Sequence, residues 1–348
     1  MMKELAGIDA PAVEAWIVTN TQSLHAPFTW TRLEGGHSNL TYRIEDAAGH
    51  KAVVRRPPEG ELLPKAHDMG REYAIIRALY PTAVPVPKPL GYCASAAITG
   101  AHFYVMGEVA GKAMYTVDDV NACIPQSARA TTAMSFMDVL AALHAIKPDA
   151  VGLDGLGRQD GYIARQLAIW YGSWQASKEA ARIDASVIHA LHEQLAAAIP
   201  AQGPARVVHG DYGLHNCLIG ADHRIAAVLD WEISTLGDPL ADLAYAVNSW
   251  TEPGDPIMPK TDAPTLAGGF PSRATLLERY ASQSGRALDD IGYYTAFNYF
   301  KSACIIHGVY ARYRKGQKAI AADQLTALRL RVEKAVALCE VTRDAAAL

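Results

Sequence analysis

Two short blocks, His209-Gly210-Asp211-Tyr212-Gly213-Leu214-His215-Asn216 and Val228-Leu229-Asp230-Trp231-Glu232, constrain this chain more than any other feature. Between them, Cys217-Leu218-Ile219 reads as a short strand, Gly220-Ala221-Asp222-His223 as a turn, and Ile225 to Leu229 as an apolar returning strand. A hairpin of that length returns Asp230 beside Asn216, although fourteen residues separate them. One carboxylate and one carboxamide suit Mg2+, which takes a few protein oxygens and completes its octahedron with water and phosphate. Asp211 lies five residues before Asn216, placed to orient a hydroxyl and receive its proton. The three groups together are the set that phosphoryl transfer from a nucleotide needs. Either block alone is better explained by Asp and Asn as turn formers in a solvated loop. Joined by a hairpin, they favour the chemistry.

Protein kinases space their base and metal-binding Asn in the same way, in H-R-D-x-x-x-x-N. Here Gly210 replaces the Arg, Trp231-Glu232 replace the Phe-Gly of D-F-G, and A-P-E is missing, which argues against a protein substrate. Downstream, Thr235-Leu236-Gly237-Asp238-Pro239-Leu240-Ala241-Asp242-Leu243-Ala244 reads as a tight loop entering a helix. Asp238 suits its N-cap and Pro239 its first position. Asp242 falls on the first turn, where its charge suits the helix dipole. Both acids, with His209, read as structural support of the catalytic loop, with a direct metal role for Asp238 the lesser alternative.

HGD-x-x-x-x-N, LDWE and GDP-x-x-DLA together resemble the aminoglycoside phosphotransferase family of small-molecule kinases. Tyr162 to Lys178 (YIARQLAIWYGSWQASK) narrows the resemblance to the bacterial branch related to a kinase-like domain fused to acyl-CoA dehydrogenases in animals. The likeness runs from about Leu33 to beyond Arg312. It implies an α+β, protein-kinase-like two-lobe fold: a small β-rich N-lobe over 1–105, a hinge over 106–112, and a larger, mainly helical C-lobe over 113–348. The catalytic hairpin occupies 207–232. The resemblance also implies ATP or GTP as co-substrate, Mg2+ as cofactor and a small-molecule hydroxyl as acceptor.

The N-terminal third fits that expectation. Leu33 to Ile44 reads as strand, glycine turn, strand, so Gly35, Gly36, His37, Ser38 and Asn39 can bring backbone N–H groups to phosphate. An ordinary hairpin is the alternative for a lone Gly-Gly. Lys51-Ala52-Val53-Val54-Arg55 aligns with V-A-I-K of kinases, leaving Arg55 where the phosphate-pairing Lys stands. Arginine keeps the charge but offers a planar fork. Arg56, its neighbour, points to the opposite strand face. A helix over Arg71 to Leu79 carries Glu72, the counterion expected for Arg55. His102 to Val109 reads as the strand entering the hinge. By resemblance the adenine edge meets backbone near Glu108 and Val109, with Met106 behind it, and the hinge register is open by one residue.

Acceptor recognition is less sharply written. Arg165, Trp170 and Trp174 share helical spacing, and a late helix from Tyr293 to Arg312 carries Lys301 and Arg312 among many aromatics. These five are the candidate acceptor-binding residues, with helix packing the alternative for the tryptophans. Few acids and several cations there disfavour a polycationic antibiotic and favour a neutral or anionic metabolite, a hydroxyacyl thioester among them. Val120 to Ala145 reads as one helix, with His144 packed near its end. The alternative to an enzyme is a nucleotide-binding pseudokinase, suggested only by Arg55. A net charge of −4 gives no basis for nucleic-acid binding. No apolar run approaches a membrane span, and five scattered cysteines suggest reduced thiols and a cytoplasmic protein.

Overall fold

A computed structural model of the 348-residue chain describes residues 5–33, 39–60, 67–258, 260–316 and 321–345, the side chains of 344 and 345 excepted. In chain order the first elements are α1 (Ala10–Asn20), β1 (Thr29–Arg32), β2 (Leu40–Glu45), β3 (Lys51–Arg56), α2 (Met69–Leu79), β4 (Pro89–Cys93) and β5 (Phe103–Gly107). Then come α3 (Val117–Cys123), α4 (Arg129–Ala145), α5 (Tyr162–Ala181), α6 (Ser186–Ala197) and β6 (Arg206–Val208). The hairpin strands are β7 (Cys217–Ile219) and β8 (Ile225–Val228). The chain continues through β9 (Thr235–Gly237), α7 (Pro239–Asn248), α8 (Arg273–Ser284), α9 (Ile291–Arg314) and α10 (Ala322–Ala345). This is the mixed α+β composition that the motifs imply.

Two compact units divide the chain. One comprises Met1–Ala113, Asp149–Leu153 and Asn216–Ser234; the other comprises Met114–Pro148, Asp154–His215 and Thr235–Leu348. The first unit holds an antiparallel five-stranded sheet in the order β1-β2-β3-β5-β4. Its strands alternate because side chains alternate: in β2, Leu40, Tyr42 and Ile44 are buried while their neighbours are half-exposed. Ile44, Ala52, Val54, Phe103 and Val105 pack with Val13 and Ile17 of α1 in one apolar cluster. The same alternation sends Arg56 away from Arg55: Arg56 donates to the carbonyls of Gly7 and Thr99.

Helix α2 starts where Asp68, in extended backbone, accepts a hydrogen bond from Arg71 N at 3.0 Å. It buries Glu72 with Ile75, Ile76 and Leu79. In the hairpin, Cys217 pairs with Val228 and Leu218 with Ala227. Its turn closes through His223 N to Gly220 O at 3.0 Å, and Val228 N donates to Pro85 O at 2.8 Å, tying the hairpin to the first unit.

The second unit is helical. A core of Trp174, Ile188, Leu191, Phe297 and Phe300 joins α5, α6 and α9, and β6 and β9 form a two-stranded ladder. The single helix expected over Val120 to Ala145 is instead two, α3 and α4. Pro125 is the cause: it has no N–H to continue the ladder, and Ile124 before it is extended. No helix among the described residues is long and apolar enough to cross a membrane.

Candidate active site

Asp230 lies two residues past the end of β8, and its backbone takes φ +64°, a left-handed conformation that Asp tolerates better than most residues. Leu229 N donates to Asn216 O at 2.8 Å, one step beyond the Cys217–Val228 pair. The hairpin register therefore places Asn216 and Asp230 at the same end. Asn216 is buried, whereas the Asp230 side chain retains 30% of its exposure. Arg55 Nη2 lies 2.5 Å from Asp230 Oδ1, and Arg55 Nε lies 3.3 Å from Glu72 Oε2. The expected partner of Arg55 is thus beside it, and the hairpin carboxylate joins the pair.

Burial works against the Arg55 charge, but the Glu72 and Asp230 carboxylates outweigh it and hold the guanidinium ionised. Burial pushes the Glu72 carboxyl up to about 7 against the pull of Arg55. Arg55 Nε and both Glu72 oxygens are buried without a well-formed hydrogen bond. Of these, only the Arg55 Nε–H is a donor that an anionic ligand could satisfy.

A cavity of about 250 Å3 opens onto these groups. Arg55 and Asp230 line it together with Val53, Met106, Leu218 and the backbone stretch Gly107, Glu108 and Val109. The stretch expected to form the hinge is anchored by Gly107 N to Lys88 O at 2.8 Å and Glu108 N to Lys51 O at 3.4 Å. Gly35, Gly36, His37 and Ser38 lie outside the described residues. Asn39 is buried, and its amide donates to Glu232 Oε2 at 3.2 Å while His67 Nδ1 meets its carbonyl oxygen at 2.9 Å. That side chain links the start of β2 to the hairpin. Glu232, unassigned from sequence, is a third acid of the region.

The donor set suits Mg2+. Asn216 and Asp230 could supply two hard oxygens from one end of the hairpin. Magnesium, which shares its shell with phosphate and water, matches such a sparse site.

In the second unit, Gly210 turns the chain at φ +85°, a conformation that favours glycine, just before Asp211. The buried Asp242 carboxylate accepts His209 N at 2.6 Å and Gly210 N at 2.8 Å, and faces His144 Nε2 at 3.3 Å. His144 is fully buried and its other nitrogen meets Tyr280 Oη at 2.7 Å. Asp238 caps α7 by accepting Leu240 N at 2.9 Å, and Tyr294 Oη donates to its other oxygen at 2.6 Å. Both acids are consumed by backbone and neighbouring side chains. His209 Nδ1 accepts Asp211 N at 3.3 Å.

Asp211 itself gathers two partners that sequence reasoning missed. Tyr245 Oη donates to Asp211 Oδ1, and His215 Nε2 lies 3.3 Å from the same oxygen. Burial raises the Asp211 carboxyl, but the His215 and Tyr245 contacts more than offset this and hold it down at about 2. One signal was readable: Tyr245 sits three residues after Asp242 on α7, on the same helix face. His215 carries no such periodic mark.

Both partners line a second cavity of about 700 Å3. Met114, Phe136, Trp250 and Leu338 supply apolar walls, and Lys260, Arg331 and Lys334 supply cations against the single acid Asp262. The segment between Trp250 and Pro271 contributes Lys260 to Thr265. None of the five acceptor candidates from sequence lines it. Trp174 is fully buried, stacked on His307 at 3.9 Å, and Trp170 packs against the helical core. Arg165 Nη2 donates to Arg158 O at 2.8 Å, Arg312 is exposed on the last turn of α9, and Lys301 is buried in mid-helix.

Comparison with known proteins bears on the family and the fold. Residues 29–286 match the phosphotransferase enzyme family. The chain is similar to acyl-CoA dehydrogenase family member 11 of Gallus gallus, 34% identical over 290 residues that make up 81% of this chain. It spans only 36% of that relative's length. A crystal structure from Ralstonia eutropha, assigned to the aminoglycoside phosphotransferases, superposes with a TM-score of 0.79 at 27% identity, covering 96% of this chain and 98% of the other. Aminoglycoside phosphotransferase APH(4)-Ia, in a ternary complex with ADP and hygromycin B, shares the fold at 17% identity and a TM-score of 0.59, over 94% of this chain and 98% of its own. The kinase-like architecture expected from the motifs is the architecture of these proteins.

Proposed function

This chain belongs to the phosphotransferase enzyme family, and from that premise we propose that it moves the γ-phosphoryl group of ATP or GTP to the hydroxyl of a small, apolar-bodied, neutral or anionic acceptor. Arg55, held by Glu72, takes the phosphates, and the 250 Å3 cavity takes the base against Met106 and the Glu108–Val109 backbone. Mg2+ held by Asn216 and Asp230 would neutralise charge between the phosphate oxygens. Asp211 orients the acceptor hydroxyl. The acceptor O–H bond breaks as its oxygen bonds to phosphorus, the bond from the γ-phosphorus to the bridging oxygen breaks, and Asp211 receives the proton. With its carboxyl held at about 2, Asp211 is a weak base. A loose transition state asks little more of it, so positioning and charge neutralisation carry most of the rate.

The observation that carries the acceptor class is the 700 Å3 cavity beside His215 and Tyr245. Its apolar walls and three cations would repel a polycationic aminoglycoside and receive an acyl body with an anionic end. A hydroxyacyl thioester on a phosphorylated carrier such as coenzyme A has that form, the phosphates supplying the charge, and the acyl-CoA dehydrogenase relatives favour it. The test is transfer of labelled γ-phosphate from ATP, then GTP, to hydroxyacyl thioesters, their free hydroxy acids, choline and hygromycin B. Transfer to thioester or free acid well above the aminoglycoside is expected. Preference for hygromycin B would overturn the acceptor class, and a chain that binds Mg-ATP yet transfers to nothing would be a binding module.

A further inference from the structure

Resting on the reading of Asp211 above, we propose that Lys301 is a positioning residue: a buried ammonium that fixes Asp211 through Tyr245 and through the Gly210 carbonyl. Lys301 lies in the middle of α9 with only 8% of its surface exposed. Its Nζ is 3.4 Å from Gly210 O, the carbonyl of the residue preceding Asp211. The same nitrogen lies 5.7 Å from the centroid of the Tyr245 ring, whose hydroxyl donates to Asp211 Oδ1. It does not line the acceptor cavity, so its position does not suit direct reading of an anionic acceptor.

An interior ammonium is costly unless dipoles, a ring face or anions offset its lost hydration. Here the offsets are one carbonyl, one aromatic face, and the Asp211 and Asp242 carboxylates. Burial pushes the Lys301 ammonium below its ordinary range, and those two carboxylates offset only part of that. A merely space-filling role at this point would be met by methionine, of similar length and without the desolvation cost. The lysine instead pins both routes to Asp211: the backbone before it, whose N–H is already held by Asp242 at 2.8 Å, and the phenol beside it. Loss of the charge frees the Tyr245 ring and the Gly210 peptide together. The reacting carboxylate is then held less tightly, a change to which rates are steeply sensitive.

Slow hydrolysis of Mg-ATP, with water as acceptor, reads this directly. Lys301→Met should lower kcat at least about tenfold while the KM for ATP stays within about twofold, since nucleotide contacts lie elsewhere. Lys301→Arg should recover part of the loss. Lys301→Met combined with Tyr245→Phe should cost little more than the worse single change, because the two act along one route. A Met variant within about twofold of the wild-type kcat, or a loss that Arg does not relieve, would overturn the proposal. Should the wild-type chain neither hydrolyse ATP nor pass phosphate to any of the acceptors named above, the phosphotransferase reading fails, and the lysine is still read by 19F resonance. With 3-fluorotyrosine at position 245, the signal should shift on Lys301→Met and Lys301→Arg, and stay in place on Lys178→Met, a change at an exposed residue of α5. No shift in either Lys301 variant would sink it.

Discussion

Asp211 is held by contacts that favour its charged form, and this sets its pH behaviour. Its folded pKa, about 2, lies below the ordinary value of 3.8. A depressed carboxylate stabilises the fold fully above its unfolded pKa, and that contribution is lost as pH falls from 3.8 through about 2. Asp211→Asn should therefore flatten the stability curve in that window, measured as urea midpoints at stepped pH, and leave the curve above pH 5 unchanged in slope. The same variant should lower phosphoryl transfer by about 10²- to 10⁴-fold, the range for a positioned proton acceptor, with nucleotide affinity kept. A change in affinity matching the loss of turnover would place Asp211 among the nucleotide contacts instead. Arg55 makes a second case. Arg55→Lys keeps the charge but loses the fork that spans Glu72 and Asp230, so the KM for ATP should rise. An unchanged KM would remove Arg55 from the nucleotide site.

At the scale of elements, what the sequence revealed follows from local chemistry. The hairpin was legible because its strands are short apolar runs around a turn, and the start of α7 because Asp238-Pro239 is a cap followed by a first-turn proline. Glu72 was named from the kinase ion-pair pattern, with a solvent-facing acid as the alternative, and its burial on α2 beside Arg55 is what the structure adds. Contacts made across long separations left no such trace. His215 and Tyr245 meet Asp211 through loop geometry and helix packing, and the burial of Lys301 depends on elements far from it in sequence. Trp170 and Trp174 misled for a related reason: helical spacing marks a shared face without saying whether that face meets ligand or core. Asp242 offers the clearest test at this scale. It is fully buried and accepts two backbone N–H groups. Asp242→Ala should destabilise the chain by roughly 2–4 kcal/mol, from orphaned buried donors, as read by urea denaturation. A cost below about 0.5 kcal/mol would mean the catalytic loop holds without it.

Over the whole molecule, the residues of the proposed chemistry are divided between the two compact units. The first holds Arg55, Glu72, Asn216, Asp230 and the 250 Å3 cavity; the second holds Asp211, its partners and the 700 Å3 cavity. The division falls at the peptide between His215 and Asn216, so the octapeptide from His209 to Asn216 serves both. This explains why that single motif says so much about the fold. Ligands that bind only the folded chain stabilise it, by about 2.7 kcal/mol at a hundredfold excess over Kd. Mg-ATP should accordingly raise Tm, and Asp230→Ala should abolish the magnesium-dependent part of that rise. The most direct test of the central claim is the rate of γ-phosphoryl transfer from Mg-ATP to a hydroxyacyl thioester, measured side by side for the native chain, Asp211→Asn and Asp230→Ala. The account predicts transfer by the native chain, nucleotide bound but not transferred by Asp211→Asn, and magnesium-dependent binding lost in Asp230→Ala. Equal transfer by all three would contradict it.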